Sequence, residues 1–354
     1  MTSVRSARKD EHVQLVMESR REQPLRPNDF DDVELVHHAL DGIDPARVDL
    51  ATDVGPWRWA APLLISGMTG GSESTGRINR ALAIAARETG TPIASGSMSV
   101  VLDEPDTLAT FRVLRDENPD GIVFANLGAE RSPDDARRVV DLLGADGLQV
   151  HVNAAQETVM PEGSRGFDRW AANIEAIVDA VEVPVIVKEV GSGLSGRTLS
   201  RLHALGVRLA DVAGRGGTDF AAVENARRAG RDYAYLAGWG QSAVCCLLDV
   251  PDPAPQVLAS GGVRHPLDVV RALALGARAV SVAGAFLAVA VDGDEVATVA
   301  ELRRWHEHLT AIHALVGAAT PADLTTTDVL LHGRVLEFAR LRGVDTGALA
   351  RRSR

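Results

Sequence analysis

Short apolar runs alternate with segments of helical period along most of this chain. The runs span Pro62–Met68, Pro92–Ser97, Ile122–Gly128, Gly147–Asn153, Pro184–Val190, Leu209–Gly214, Gln256–Gly262 and Ala279–Gly284. They are nearly continuous in hydrophobicity, as strands buried on both faces of a parallel sheet must be. Helical patterns lie between them, at Gly76–Thr89, Pro105–Glu117, Pro133–Leu143, Asp168–Ala180, Gly196–Ala204, Phe220–Ala229 and Pro266–Gly276. Eight strands separated by helices predict an α/β chain folded as a (β/α)₈ TIM barrel, with N-terminal and C-terminal helical extensions. An open, doubly wound sheet is the competing architecture. The pattern makes one domain, with a 1–61 arm, a 62–292 barrel core and 293–354 C-terminal helices, and no low-complexity linker or repeat.

Composition narrows the possible roles. The 354 residues include 37 Lys or Arg and 48 Asp or Glu. The resulting net charge of −11 argues against nucleic-acid binding, and any anion site must depend on locally focused groups. No apolar run approaches the ~18 residues of a membrane span. The N-terminal MTSVRSARKDEH has no apolar signal core, so a cytoplasmic protein is expected. Cys245 and Cys246, the two cysteines, cannot build a disulfide framework or a multi-cysteine metal site. In their apolar stretch they read as buried core.

Candidate chemistry gathers at the strand ends, where ligands sit in parallel α/β proteins. Nearly every run closes on glycine with a small polar residue, as at Gly67–Gly71, Ser95–Ser97, Ala125–Gly128, Gly214–Thr218 and Ser260–Gly262. One such glycine is an ordinary turn. A ring of them predicts a large flat ligand approached closely by backbone. The loops after the seventh and eighth strands, Gly261-Gly262-Val263-Arg264 and Val282-Ala283-Gly284, stand where barrels bind phosphate through backbone N–H groups and helix N-termini. Gly147–Glu157 (GLQVHVNAAQE) carries the densest set of polar side chains: alternation puts His151 and Asn153 on one strand face, with Gln156 and Glu157 in the loop just beyond.

Three further features call for an anionic ligand. Lys188, on the fifth strand, needs an anionic partner if it is buried. That partner is either the electron-rich edge of a flavin or a carboxylate, Glu189 or another in the barrel. Arg5, Arg8, Lys9 and His12 are spaced i, i+3, i+4, i+7, so a helix would gather them to dock a diphosphate; a solvated basic terminus is the plainer alternative. Glu157 alone makes no metal cage, but Mg²⁺ accepts one or two carboxylates when substrate phosphates and water complete its shell.

The chain resembles the type 2 isopentenyl diphosphate isomerase family of flavin-dependent enzymes from end to end. The resemblance rests on Arg8-Lys9-Asp10-Glu11-His12, Met68–Gly71, Ser95–Met98, Ala125–Gly128, His151–Glu157, Val187–Gly191, Gly216–Thr218 and Ser260–Arg264. Single glycine motifs occur in many FMN barrels, whereas Arg-Lys with HVNxxQE is far more specific. The resemblance implies that FMN is held by Met68, Thr69, Gly70, Ser97, Asn126, Lys188, Thr218, Gly261, Gly262, Val263, Ala283 and Gly284. It implies that Arg8, Lys9, His12 and Gln156 bind substrate, that Gln156, His151 and Asn153 serve catalysis, and that Glu157 holds Mg²⁺ on the diphosphate. One departure concerns Trp239-Gly240-Gln241-Ser242, where many relatives continue Trp-Gly with Ile-Pro-Thr.

What the resemblance implies is a double-bond shift without net redox change, from isopentenyl to dimethylallyl diphosphate, in isoprene biosynthesis. NADPH would serve only to reduce the flavin, and the enzyme would be a homo-oligomer, a tetramer or octamer. A 2-hydroxy-acid oxidase of the same barrel type would need a catalytic His with a nearby Arg after strand six or seven; Gly214–Thr218 supplies Arg215 but no histidine. A nucleotide dehydrogenase would need a nucleophilic Cys in that loop. A non-catalytic flavin binder would leave Gln156, Glu157 and the Arg8-Lys9 pair without purpose.

Overall fold

A computed structural model describes residues 10, 11, 13–18, 21 and 27–354. Its centre is a closed barrel of eight parallel strands, each paired with its neighbours in sequence order. In the numbering of the whole chain these are β4 (Leu63–Ile65), β5 (Ile93–Ala94), β6 (Val123–Gly128), β7 (Gly147–Val152), β8 (Val185–Glu189), β9 (Leu209–Asp211), β10 (Gln256–Ser260) and β11 (Val280–Val282). Closure of β11 onto β4 through Val280–Leu63 pairing excludes the open doubly wound sheet. Every predicted strand is present, each trimmed at one or both ends.

Two small sheets flank the barrel. β1 (Val33–Leu35) pairs antiparallel with β12 (Val329–Leu331), tying the N-terminal segment to the C-terminal helices. The hairpin of β2 (Thr52–Val54) and β3 (Trp57–Trp59) packs on the barrel interior. There Val54, Trp59, Leu64, Ala94, Phe124, Ile186, Leu209 and Leu258 form one buried cluster. Trp57 meets Phe124 edge-on, with ring centroids 5.1 Å apart, a favoured aromatic geometry. This apolar plug fixes the barrel's floor.

The predicted helices form with small shifts of boundary. Ser72 caps the first through a reciprocal bond with Thr75, so it begins at Glu73 and runs to Thr89. The Pro105–Glu117 pattern divides into a 3₁₀ turn, Pro105–Thr107, and a helix, Ala109–Glu117. One expectation is corrected. Gln156 and Glu157 do not lie in a loop but on a short helix, Ala154–Val159, entered through Asn153. Ala154 and Ala155 favour helix strongly, and they close the turn directly on the strand end. The consequence is that Gln156 and Glu157 stand on a hydrogen-bonded scaffold. Cys245 and Cys246 are buried on the Ala243–Leu248 helix, and burial pushes the Cys245 thiol up to about 11. No helix among the described residues is long and apolar enough to cross a membrane.

Candidate active site

Strand side chains alternate, so the residue two beyond a floor residue also faces the barrel axis, one layer nearer the mouth. Applied to Leu64, Phe124, Ile186, Leu209, Leu258 and Ala279, that step reaches Ser66, Asn126, Lys188, Asp211, Ser260 and Ser281, all buried. Barrel pairing places His151, Lys188 and Asp211 in one row across β7, β8 and β9. His151 Nδ1 lies 2.9 Å from Asn126 Oδ1, and Asn126 Nδ2 donates to Gln149 Oε1 at 3.2 Å. Lys188 Nζ is 3.7 Å from Asp211 Oδ2, so its partner within the protein is Asp211, whereas Glu189 accepts from the backbone N–H groups of Val190, Gly191, Ser192 and Gly193. Asp211 Oδ1 is held by Ser260 Oγ at 2.7 Å and Ala213 N at 3.1 Å.

Several buried atoms of this layer have no hydrogen-bond partner among the described residues, namely Gln149 Nε2, Asn153 Oδ1, Asp211 Oδ2 and Ser281 Oγ. Buried polar groups are normally satisfied, so these atoms point to a polar ligand. On the β10–β11 side, the Gly284–Asp292 helix opens at Ala283 without a side-chain cap, leaving its first N–H groups for an anion. The helices at Glu73, Pro133 and Gly196 are instead capped by Ser72, Ser132 and Ser195. A mixed layer of amide, ammonium and hydroxyl groups beside an uncapped helix start fits a flavin with its phosphate.

Most of the glycine ring has a different cause from the one its pattern suggested. A Cβ on Gly67 would lie 1.8 Å from Ser95 O, on Gly96 2.4 Å from Thr69 O, and on Gly261 1.8 Å from Gly214 O. Gly70, at φ +141°, faces the Phe111 ring. Gly67, Gly96 and Gly261 let neighbouring strand ends pack backbone to backbone and Gly70 makes room for Phe111, needs that exist without any ligand. Thr69 likewise spends its hydroxyl proton on Asn79, at 2.6 Å. Ser97 bonds Ser99 at 3.3 Å; Met68, Thr218, Ala283 and Gly284 are half-buried at the mouth, and Gly262 and Val263 are buried beside it.

Gln156 Nε2 donates to Glu224 Oε1 at 2.8 Å. Glu224 is fully buried on the Phe220–Arg227 helix and is bridged by Arg227. Asn153 Nδ2 reaches Glu157 Oε1 at 3.0 Å and Gln156 Oε1 at 3.3 Å, and Ser164 N donates to Glu157 Oε2 at 2.7 Å. So Asn153, Gln156 and Glu157 act as one fixed group. Glu224 is the residue that motif reasoning missed. Its signal was its place on the helix face of Ala221 and Asn225, where a carboxylate interrupts a buried stripe. No cluster of three or more His, Cys, Asp or Glu among the described residues could hold a metal ion.

Arg8, Lys9 and His12, with Arg5, lie outside the described residues. Asp10 and Glu11 do not: Asp10 accepts from Ser72 Oγ at 2.6 Å, and Glu11 pairs with Arg227 Nε at 3.3 Å. Arg264 and His265 form an Arg–His pair after β10, but Arg264 is bound by Asp31 (2.7 Å) and Asp268 (2.9 Å) and His265 lies 3.8 Å from Asp268. The divergent Trp239–Ser242 loop is held by backbone, Gln241 N to Ser192 O (2.9 Å) and Arg215 N to Gln241 O (2.8 Å), and Ser242 caps the Ala243–Leu248 helix through Cys245 N.

Comparison with known proteins supplies the family. Residues 132–331 match the FMN-dependent dehydrogenase family. An isopentenyl-diphosphate delta-isomerase of Streptomyces sp. (strain CL190) is 56% identical over 353 residues, covering 100% of this chain and 96% of the relative. The enzyme of that name from Kitasatospora griseola is 58% identical, covering 98% and 95%, and that from Nocardia farcinica is 53% identical, covering 98% and 96%. A mandelate oxidase crystal structure with 3,3-difluoro-2-hydroxy-3-phenylpropionic acid superposes with a TM-score of 0.62 over 91% of each chain at 18% identity, a likeness of fold alone.

Proposed function

The chain belongs to the FMN-barrel, type 2, isopentenyl-diphosphate delta-isomerase family, and we infer that it converts isopentenyl diphosphate to dimethylallyl diphosphate on reduced FMN. The reaction must protonate an unactivated alkene at C4 and remove a proton at C2, with positive charge developing at C3. Bound and reduced, FMN supplies an electron-rich ring system able to stabilise that charge and exchange a proton. The rest is the work of side chains. Lys188, buried at 6% exposure, would offer ammonium donors to the electron-rich edge of the flavin, and the Gly261–Val263 and Ala283–Gly284 backbone, with the uncapped start of the Gly284–Asp292 helix, would hold its phosphate.

The observation that carries the substrate assignment is the Gln156–Glu224 bond. It fixes the amide of Gln156 beside the mouth, where preorganised dipoles count most because they need no rearrangement in the transition state. Asn153 and His151 complete that wall. In this reading Glu157 would hold Mg²⁺ on the diphosphate, and Arg8, Lys9 and His12 would bind the same group, so that binding energy far from the alkene would orient it. NADPH loads the flavin and is not consumed with each turnover. A homo-oligomer, tetramer or octamer, in the cytoplasm belongs to the same reading.

The oxidase alternative requires a free His–Arg pair at the mouth, whereas Gly214–Thr218 has no histidine and Arg264, beside His265, is bound by Asp31 and Asp268. The test is an anaerobic assay with isopentenyl diphosphate, FMN, Mg²⁺ and NADPH, omitting each in turn. Product should exceed NADPH consumed by orders of magnitude and should vanish without FMN or Mg²⁺. One-for-one consumption of NADPH, or a flavin spectrum with no turnover, would overturn the assignment.

A further inference from the structure

Arg227 stands where three separately anchored parts of the mouth meet. Its Nη1 bridges Glu224, three residues back on the same helix and fully buried. Its Nη2 lies 3.1 Å from Glu162, in the segment that follows the Ala154–Val159 helix. Its Nε lies 3.3 Å from Glu11, in the N-terminal arm. Arg227 is itself only 15% exposed, and its rigid planar guanidinium presents Nε, Nη1 and Nη2 in three fixed directions, one to each carboxylate, where a lysine would offer a single point charge.

The same arginine therefore links the arm to Gln156 by an unbroken run of contacts: Glu11 to Arg227, Arg227 to Glu224, and Glu224 Oε1 to Gln156 Nε2 at 2.8 Å. Asp10, the preceding residue of the arm, is held separately by Ser72 and Ser74. Arg227 Nη1 holds one oxygen of the buried Glu224 carboxylate, Oε2, while Gln156 Nε2 donates to the other, Oε1, so the guanidinium helps set where that carboxylate points. Gln156 follows that carboxylate.

We propose that Arg227 is a positioning residue that couples docking of the N-terminal arm to the orientation of Gln156. This rests on the isomerase reading above. It assigns Arg227 no contact with substrate; it acts through Glu224 on one side and Glu11 on the other.

The test is steady-state kinetics of the flavin-loaded enzyme with isopentenyl diphosphate, run with FMN content and Tm for each variant. Glu11→Gln should raise KM about tenfold, within the usual range of site-to-site coupling, while kcat changes less than about threefold. Arg227→Met should lower kcat on the order of 100-fold, as expected when a reacting group is misplaced, and raise KM as well. Adding Glu11→Gln to Arg227→Met should then raise KM no further, because the coupling runs through the missing guanidinium. If Arg227→Met folds poorly, Arg227→Met with Glu224→Gln removes the buried charge with its partner; that variant should recover Tm and FMN but not kcat. Wild-type KM in Glu11→Gln, the same KM increment in both backgrounds, or full kcat recovery in the charge-free pair would overturn the coupling. Absence of turnover in the wild type would instead sink the isomerase reading on which it rests.

Discussion

The two ends of the barrel are built from the same strands and behave as opposites. At the floor, Leu64, Phe124, Ile186, Leu209 and Leu258 interlock with Trp59 from the β2–β3 hairpin, and apart from the Trp59 indole N–H the packing leaves no polar atom unpaired in that cluster. Two residues further along, the same faces carry Ser66, Asn126, Lys188, Asp211 and Ser260. There, buried polar atoms go without partners and an ion pair stands 3.7 Å apart rather than closing. One step of strand alternation separates residues that stabilise the fold from residues that wait for a ligand.

That contrast can be broken from either end. The largest effect should come at the floor: Phe124→Ala empties a fully buried ring site and should cost about 3–5 kcal/mol of unfolding free energy. Denaturant melts would measure it, and the fraction that stays folded should keep its turnover. The mouth should answer the other way. Gln156→Ala should lower turnover on the order of 100-fold, or ~2.7 kcal/mol in barrier, with FMN still bound and little change in Tm. If full activity survives, Gln156 has no role in the reaction. Lys188→Met should weaken FMN binding about 10- to 100-fold, the ~1.5–3 kcal/mol of one hydrogen bond to a charged group, read by fluorescence titration of the apoprotein.

How far the sequence could be read follows the same division. The barrel was legible because burial on both faces forces each strand to be apolar from end to end, a pattern that needs no partner to recognise. Lys188 was legible because a cation breaks that pattern. Its partner was not, because Asp211 sits 23 residues downstream on the next strand and only the parallel pairing of β8 with β9 brings the two together. Glycines were legible as positions but not as causes: the pattern could not tell a backbone approached by a ligand from Gly261 pressed on Gly214 O. Glu224 was hidden by its setting on an ordinary helix, and its role appears only when Gln156 is seen against it. The helix under Gln156 and Glu157 was missed because six residues are too few to show a helical period.

The smallest predicted effect concerns the rim, where the β10 loop meets the N-terminal segment. Asn28 Nδ2 donates to Gly262 O at 2.8 Å, and Asp31 takes two bonds from Arg264, at 2.7 and 2.9 Å. Hydrogen bonding from Arg264 holds the Asp31 carboxyl down to about 2, below its ordinary value of 3.8. A carboxyl depressed in the folded state stabilises it only while ionised, so the contribution is whole above the unfolded value near 4 and fades as pH falls toward 2. Asp31 is 46% exposed, and solvent screening limits the effect to about 1 kcal/mol. Asp31→Asn should therefore melt a few degrees below the wild type at pH 7, and the gap should close as pH falls from about 4 to about 2. Because Arg264 also keeps Asp268, at 2.9 Å, the loop should stay in place and FMN affinity should change little. A large loss of FMN in Asp31→Asn at pH 7 would mean that the rim, and not only the inward layer of the mouth, holds the cofactor.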